Sequence, residues 1–119
     1  MPLTLSLSKA LLCLATQCWP VLIGSATPGP GEYPLAQRIT SDPGYGGDVL
    51  QFAETNDTVY AIHRVWTLRP EERRRERLKN PDPKARFVTK GCVNVDEAVY
   101  NVLIAEYLTA NISTLTISP

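Results

Sequence analysis

Leu3-Thr4-Leu5-Ser6-Leu7-Ser8-Lys9-Ala10-Leu11-Leu12-Cys13-Leu14 decides the fold, because it reads either as strand or as a removable leader. Residues 1–26 share features with a secretory signal: an apolar run over 10–15 and small residues at Gly24-Ser25-Ala26. Three details oppose that reading. Leu3, Leu5 and Leu7 alternate with Thr4, Ser6 and Ser8, which is the period of a strand. Lys9 follows this run instead of preceding it. Thr16-Gln17-Cys18-Trp19-Pro20 then interrupts the apolar stretch with turn-compatible residues. The segment is therefore read as two short strands joined by a turn, over about 3–14 and then 21–24.

Working outward, turn and strand signals dominate. Thr27-Pro28-Gly29-Pro30-Gly31 is turn material, and 32–35 suits a short edge strand because Pro34 lacks a ladder donor. A Gly-rich loop over 41–48 precedes a weak strand over 49–53 and a turn over 54–57. Residues 58–66 alternate best: Val59, Ala61, His63 and Val65 on one face, Tyr60, Ile62, Arg64 and Trp66 on the other. Residues 69–79 read as a short helix between Pro70 and the breakers Pro81 and Pro83. This helix sets Arg69, Arg73, Arg74, Arg75, Arg77 and Lys79 against Glu71, Glu72 and Glu76, with pairs such as Glu71–Arg75 at helical spacing. Most of these side chains belong on a solvated face, with one or two of the arginines able to reach a ligand. A short strand over 85–88 follows. Asp96 caps a helix over 97–108 with Val99, Val102, Leu103 and Tyr107 on one stripe, and a β-branched strand over 112–117 ends the chain.

The chain has 119 residues, enough for one domain, and 44% of them are hydrophobic, which excludes wholesale disorder. Twelve basic and twelve acidic residues give a net charge of zero, so no global field attracts nucleic acid. No apolar run is long enough for a membrane span. Cys13, Cys18, His63 and Cys92 lack the paired spacing of a zinc site, so no metal is expected. Cys13 and Cys18 read as small apolar residues in or beside strands, whereas Cys92 stands in a polar, Gly-containing turn.

That turn, Thr89-Lys90-Gly91-Cys92-Val93-Asn94, carries the chemistry. A cysteine nucleophile needs a base and donors for the oxyanion formed on attack. Gly91 lets the backbone approach a substrate, and the N–H groups of Lys90, Gly91 and Cys92 can converge on one oxygen. His63 is the only imidazole available, and a strand holds it.

The same run resembles the active-site signature of the L,D-transpeptidase catalytic domain: Ser or Thr, usually His, then Gly-Cys, an apolar residue, and often Asn or Arg. Ala61-Ile62-His63 is similar to the family's apolar-His strand end. Val21-Leu22-Ile23-Gly24 followed by Thr27-Pro28-Gly29-Pro30-Gly31-Glu32-Tyr33 is similar to its Gly-ended strand and Thr-Pro-x-Gly-aromatic turn. The resemblance spans nearly the whole chain in the right order. It departs at Lys90, where the family usually has His, and in a longer interval between His63 and Cys92, with a charged insertion at 67–84.

The resemblance implies a single catalytic domain over 1–119, mostly β, a sandwich or barrel-like sheet with one C-terminal helix and a short charged helical insertion. It implies Cys92 as nucleophile, His63 as base oriented by the Arg64 backbone carbonyl, and an oxyanion hole from Lys90, Gly91 and Cys92. Thr89, Asn94 and Tyr60 are the expected substrate contacts. The implied substrates are peptidoglycan stem peptides, joined 3→3 through a thioester without a cofactor, by a monomer. An imidazolium beside Cys92 would favour its thiolate. Water as acceptor would make the protein an L,D-carboxypeptidase or endopeptidase, and a non-catalytic wall-binding domain is the rival from another class. The substrate places the protein in the cell envelope or periplasm, with cytoplasmic muropeptide recycling as the alternative for a chain lacking a convincing export signal.

Overall fold

In the computed structural model, which describes residues 1–119, the N-terminal alternation is expressed as burial. In β1 (Leu3–Ser6), Leu3 and Leu5 are buried while Thr4 and Ser6 are half-buried. The chain turns through Ala10, whose φ of 48° is left-handed, and returns antiparallel as β2 (Leu11–Leu14), with Leu3 opposite Leu14. The expected strand over 3–14 is thus a hairpin. A single strand of that length would reach about 40 Å, beyond the molecule's longest extent of 36 Å.

Ala15 and Thr16 form a two-residue turn into β3 (Gln17–Pro20), where only a turn was expected. This register sets Cys13 directly opposite Cys18, with Cα atoms 4.0 Å apart, and the two form a disulfide. They are therefore a covalent staple and not simply small apolar residues. Cys92 is the one free thiol.

The remaining strands are β4 (Ile23–Gly24), β5 (Gly31–Pro34), β6 (Ala36–Ile39), β7 (Asp48–Glu54), β8 (Val59–Arg64), β9 (Phe87–Thr89), β10 (Val93–Val95) and β11 (Thr114–Ser118). The helices are α1 (Arg74–Leu78) and α2 (Glu97–Leu108). The protein is mostly β. One sheet has the order β3-β2-β1-β11-β5, a second β10-β8-β7-β6, and β4 pairs with β9. Pro34 does lie on an edge strand, where its missing N–H costs nothing. Leu5, Leu12 and Leu115 of the first sheet share one core with Leu50, Ile62 and Val93 of the second and Leu103 of α2. No helix is long and apolar enough to cross a membrane.

α2 begins where Asp96 dictates: its carboxylate accepts the Ala98 N–H at 3.0 Å. Its buried stripe is Val99, Tyr100 and Leu103, while Val102 faces outward. Tyr100 replaces Val102 because its hydroxyl donates to Asp48 at 2.9 Å and the Arg64 guanidinium covers its ring at 4.2 Å. The charged insertion is not one helix over 69–79. A 3-10 turn (Pro70–Glu72) is separated from α1 by Arg73, whose φ of 51° breaks the helical path. The Glu71–Arg75 pair does not form. Arg75 instead pairs with Glu97 of α2, and Arg74 pairs with Glu72 at 3.1 Å. Leu78 anchors the insertion against Leu22 and Val65. The strand expected over 85–88 is a 3-10 turn (Pro83–Arg86) followed by β9. β6 and β10 were not expected: the first is wholly exposed and the second only three residues long.

Candidate active site

Strand pairing closes the sequence gap between His63 and Cys92. β8 and β10 run parallel, with Val93 beside Ile62 and Asn94 beside His63. Cys92 precedes Asn94 by two positions, so both project to the face that carries His63. Ile62 and Val93, on the opposite face, are fully buried in the core and fix the pairing. Cys92 and His63 consequently line one cleft of about 360 Å³, with Tyr45, Tyr60, Trp66 and Arg74 around them. A second cavity of about 190 Å³, bordered by Arg38, Thr40 and Val49, is lined by the same two residues.

The imidazole is rigidly held. His63 Nδ1–H donates to the Arg64 carbonyl at 2.6 Å. A carbonyl only accepts, so the neutral ring carries its proton on Nδ1 and leaves Nε2 with a lone pair. Tyr45 packs edge-on against the ring, with centroids 4.6 Å apart. Arg64 also donates from Nη1 to the Tyr45 carbonyl at 3.3 Å. One residue thus holds the imidazole through its backbone and the Tyr45 loop through its side chain. Burial drives the His63 pKa down to about 4; the Arg64 carbonyl opposes this and the Arg74 charge adds to it.

The Cys92 thiol points to the Val59 carbonyl, with Sγ 3.7 Å from the oxygen. Burial raises its pKa, against the lowering effects of a backbone hydrogen bond from Ala61 and the Arg74 charge. At neutral pH the resting pair is therefore a thiol beside a neutral imidazole. The imidazolium expected to stabilise a thiolate is absent, because His63 is buried and Cys92 half-buried, and neither ionises cheaply there.

The loop before Cys92 is held from two sides. Thr89 Oγ1–H donates to the Cys92 carbonyl at 2.7 Å, and the Gly91 N–H donates back to Thr89 Oγ1 at 3.1 Å. Gly91 is thus already engaged, and the N–H groups of Lys90 and Cys92 remain without a protein acceptor. From the other side, Thr27 Oγ1–H donates to the Gly91 carbonyl at 3.0 Å and accepts the Gly24 N–H at 3.0 Å. Gly24 is indispensable for this approach, since a Cβ there would lie 1.7 Å from the Thr89 carbonyl oxygen. A Cβ on Gly91 would lie 2.6 Å from Tyr60 Cε1.

No protein-family model and no curated protein matches this chain.

The structure brings Cys92, His63, Tyr60, Thr89, Lys90 and Gly91 to one cleft. Asn94 lies behind it, fully buried, with its side chain committed to protein partners. Its Oδ1 accepts the Trp66 N–H at 3.1 Å and Arg74 Nη1 at 2.9 Å, and its Nδ2 faces His63 Nε2 at 3.4 Å. Thr89, expected to touch substrate, has its hydroxyl in the loop clamp. Sequence reasoning missed Tyr45 and Trp66 as wall residues. It expected one or two arginines of the insertion to reach a ligand, and Arg74 is the one of Arg73, Arg74, Arg75 and Arg77 that reaches the cleft. Tyr45 was hidden in a Gly-rich loop, and Arg74 was one of six similar cations in the insertion.

Proposed function

We propose that the chain is an L,D-transpeptidase-like catalytic domain that transfers an acyl group from peptidoglycan stem peptides through Cys92. The observation that carries this reading is the shared cleft in which Cys92 and His63 lie together, with the imidazole lone pair free of the Arg64 bond. The order of strand, Thr-Pro turn, His strand and Gly-Cys loop supports it, as does the contact of the first turn with the last loop through Thr27.

In this mechanism the thiol rotates from Val59 toward His63 Nε2, takes the place of the Asn94 amide donor there and gives up its proton. Sγ attacks the carbonyl between the third-position diamino acid and the following D-residue. The N–H groups of Lys90 and Cys92 hold the oxyanion. Collapse of the intermediate passes the Nε2 proton to the departing amine and leaves a thioester. An amine of a second stem then loses its proton to His63, attacks the thioester and restores the thiol, forming a 3→3 cross-link. A location in the cell envelope belongs to this reading. The Cys13–Cys18 disulfide supports it, since such bonds persist in oxidising compartments.

The test uses disaccharide-tetrapeptide stems and mass spectrometry of both protein and products. The expected result is a covalent adduct of the tripeptide-acyl mass, released D-residue and a 3→3 dimer. Cys92→Ala abolishes all three and Cys13→Ser does not. Release of the D-residue without dimer assigns water as acceptor. Absence of any adduct overturns the acyl-transfer reading.

A further inference from the structure

Among the cations on the cleft wall, Arg69 and Lys90 are exposed, whereas the Arg74 side chain is only 13% accessible. Arg74 is also the one among Arg73, Arg74, Arg75 and Arg77 that reaches this cleft. Glu72 takes its Nε edge at 3.1 Å, which turns the Nη1 edge onto Asn94 Oδ1 at 2.9 Å. Asn94 Oδ1 then has two donors, Arg74 and the Trp66 N–H. Its amide can face only one way, with Nδ2 toward His63 Nε2.

We propose that Arg74 is a positioning residue for the His63–Cys92 pair, acting through Asn94 on the imidazole and through its own charge on the thiol. An Asn94 amide turned the other way would present an oxygen to Nε2, and an oxygen there favours the protonated ring. Arg74 prevents that: the Asn94 Nδ2–H faces the Nε2 lone pair instead, which holds the ring neutral until the Cys92 proton takes that donor's place. The same guanidinium lies close enough to both groups to disfavour imidazolium and favour thiolate. When Cys92 ionises and passes its charge to the oxyanion, a partly dry cation stands beside the developing negative charge. The inserted segment thereby contributes to the chemistry, beyond its role as a solvated helix.

The other charged or titratable groups facing the pair do not supply this. Arg69 and Lys90 are exposed at the wall, Glu72 is spent on Arg74, and Arg38 beside the second cavity pairs with Glu54 at 3.7 Å. Tyr45 and Tyr60 bring hydroxyls without a positive charge.

The inference rests on the Cys92–His63 reading of the cleft, yet its test needs no substrate. His63 is the only histidine and Cys92 the only free thiol, so each reports alone. The His63 titration is followed by NMR of imidazole-labelled protein, and Cys92 by its iodoacetamide labelling rate. In Arg74→Gln the imidazole midpoint is expected to rise from about 4. Labelling at neutral pH is expected to slow roughly threefold or more, as the thiolate fraction falls. Arg74→Lys, which keeps the charge, is expected to restore most of both. A folded Arg74→Gln protein with the parent midpoint and the parent labelling rate overturns the proposal. If both quantities shift as expected while no stem peptide is turned over, the substrate reading fails and the positioning role of Arg74 stands.

Discussion

His63 makes the protein sensitive to mild acid. The unfolded chain protonates this imidazole near the ordinary 6.5, and the folded one only near 4. Between those values the unfolded state binds more protons, so stability falls as pH is lowered through that window. The full effect is about 3 kcal/mol. Asp48 acts at lower pH. Burial pushes its carboxyl up, but hydrogen bonds from Gln37, Tyr100 and Arg64, with the Arg64 charge, hold it below its usual value. Its contribution is thus lost only as pH falls through that depressed value. Urea unfolding midpoints measured near neutrality and again near pH ~4.5 separate the two. The parent is expected to lose most of the His63 contribution between them, while His63→Gln, with nothing to titrate there, loses much less. Equal losses in the two proteins would show that the imidazole is not buried neutral.

At the level of elements, the site depends on a turn and a loop that are distant in sequence. The Gly24–Thr27 turn touches the Cys92 loop through Thr27, and Gly24 sits where a Cβ would meet the Thr89 carbonyl. Gly24→Ala is expected to cost about 2–3 kcal/mol, because backbone must shift to make room. It is also expected to slow iodoacetamide labelling or acyl transfer at Cys92 more than the lost stability alone explains. Gly29→Ala, where a Cβ meets nothing within 4 Å, is the matched control and should be near neutral. Thermal melts paired with labelling rates check both. The broken insertion belongs to this scale too: the left-handed Arg73 splits it, and Leu78 then seats α1 so that Arg74 faces the cleft.

For the whole molecule, the N-terminal meander and the C-terminal strand form one sheet, with β11 between β1 and β5. The Cys13–Cys18 bridge lies at its far edge, on β2 and β3, and closes a short loop. Loop-closure entropy for so few residues gives it about 2 kcal/mol. The double variant Cys13→Ser/Cys18→Ser is expected to lose that amount in denaturant unfolding while Cys92 labels at its parental rate. A changed labelling rate would show that the edge of the sheet communicates with the cleft. Chemistry and staple occupy different parts of the fold, so they are separable by substitution.

The sequence by itself determined the strand-rich class and the Asp96-capped helix. Each is a local signal: a two-residue period and a capping side chain. The meeting of the Gly-Cys turn with the histidine strand needed the parallel pairing of β8 and β10. Nor did the sequence determine the Cys13–Cys18 bridge, which needs the two-residue turn that sets one strand opposite the other. It also did not distinguish Tyr100 from Val102 on α2, because only the Asp48 and Arg64 partners make the tyrosine the better inward residue. The ionisation of the pair was equally hidden. A cysteine beside a histidine reads as an ion pair on paper. The fold buries His63 and half-buries Cys92, and desolvation holds the imidazole pKa down and the thiol pKa up, so both stay neutral. The choice of Arg74 from a run of similar cations was likewise tertiary, since only packing decides which guanidinium of a charged segment is turned away from water.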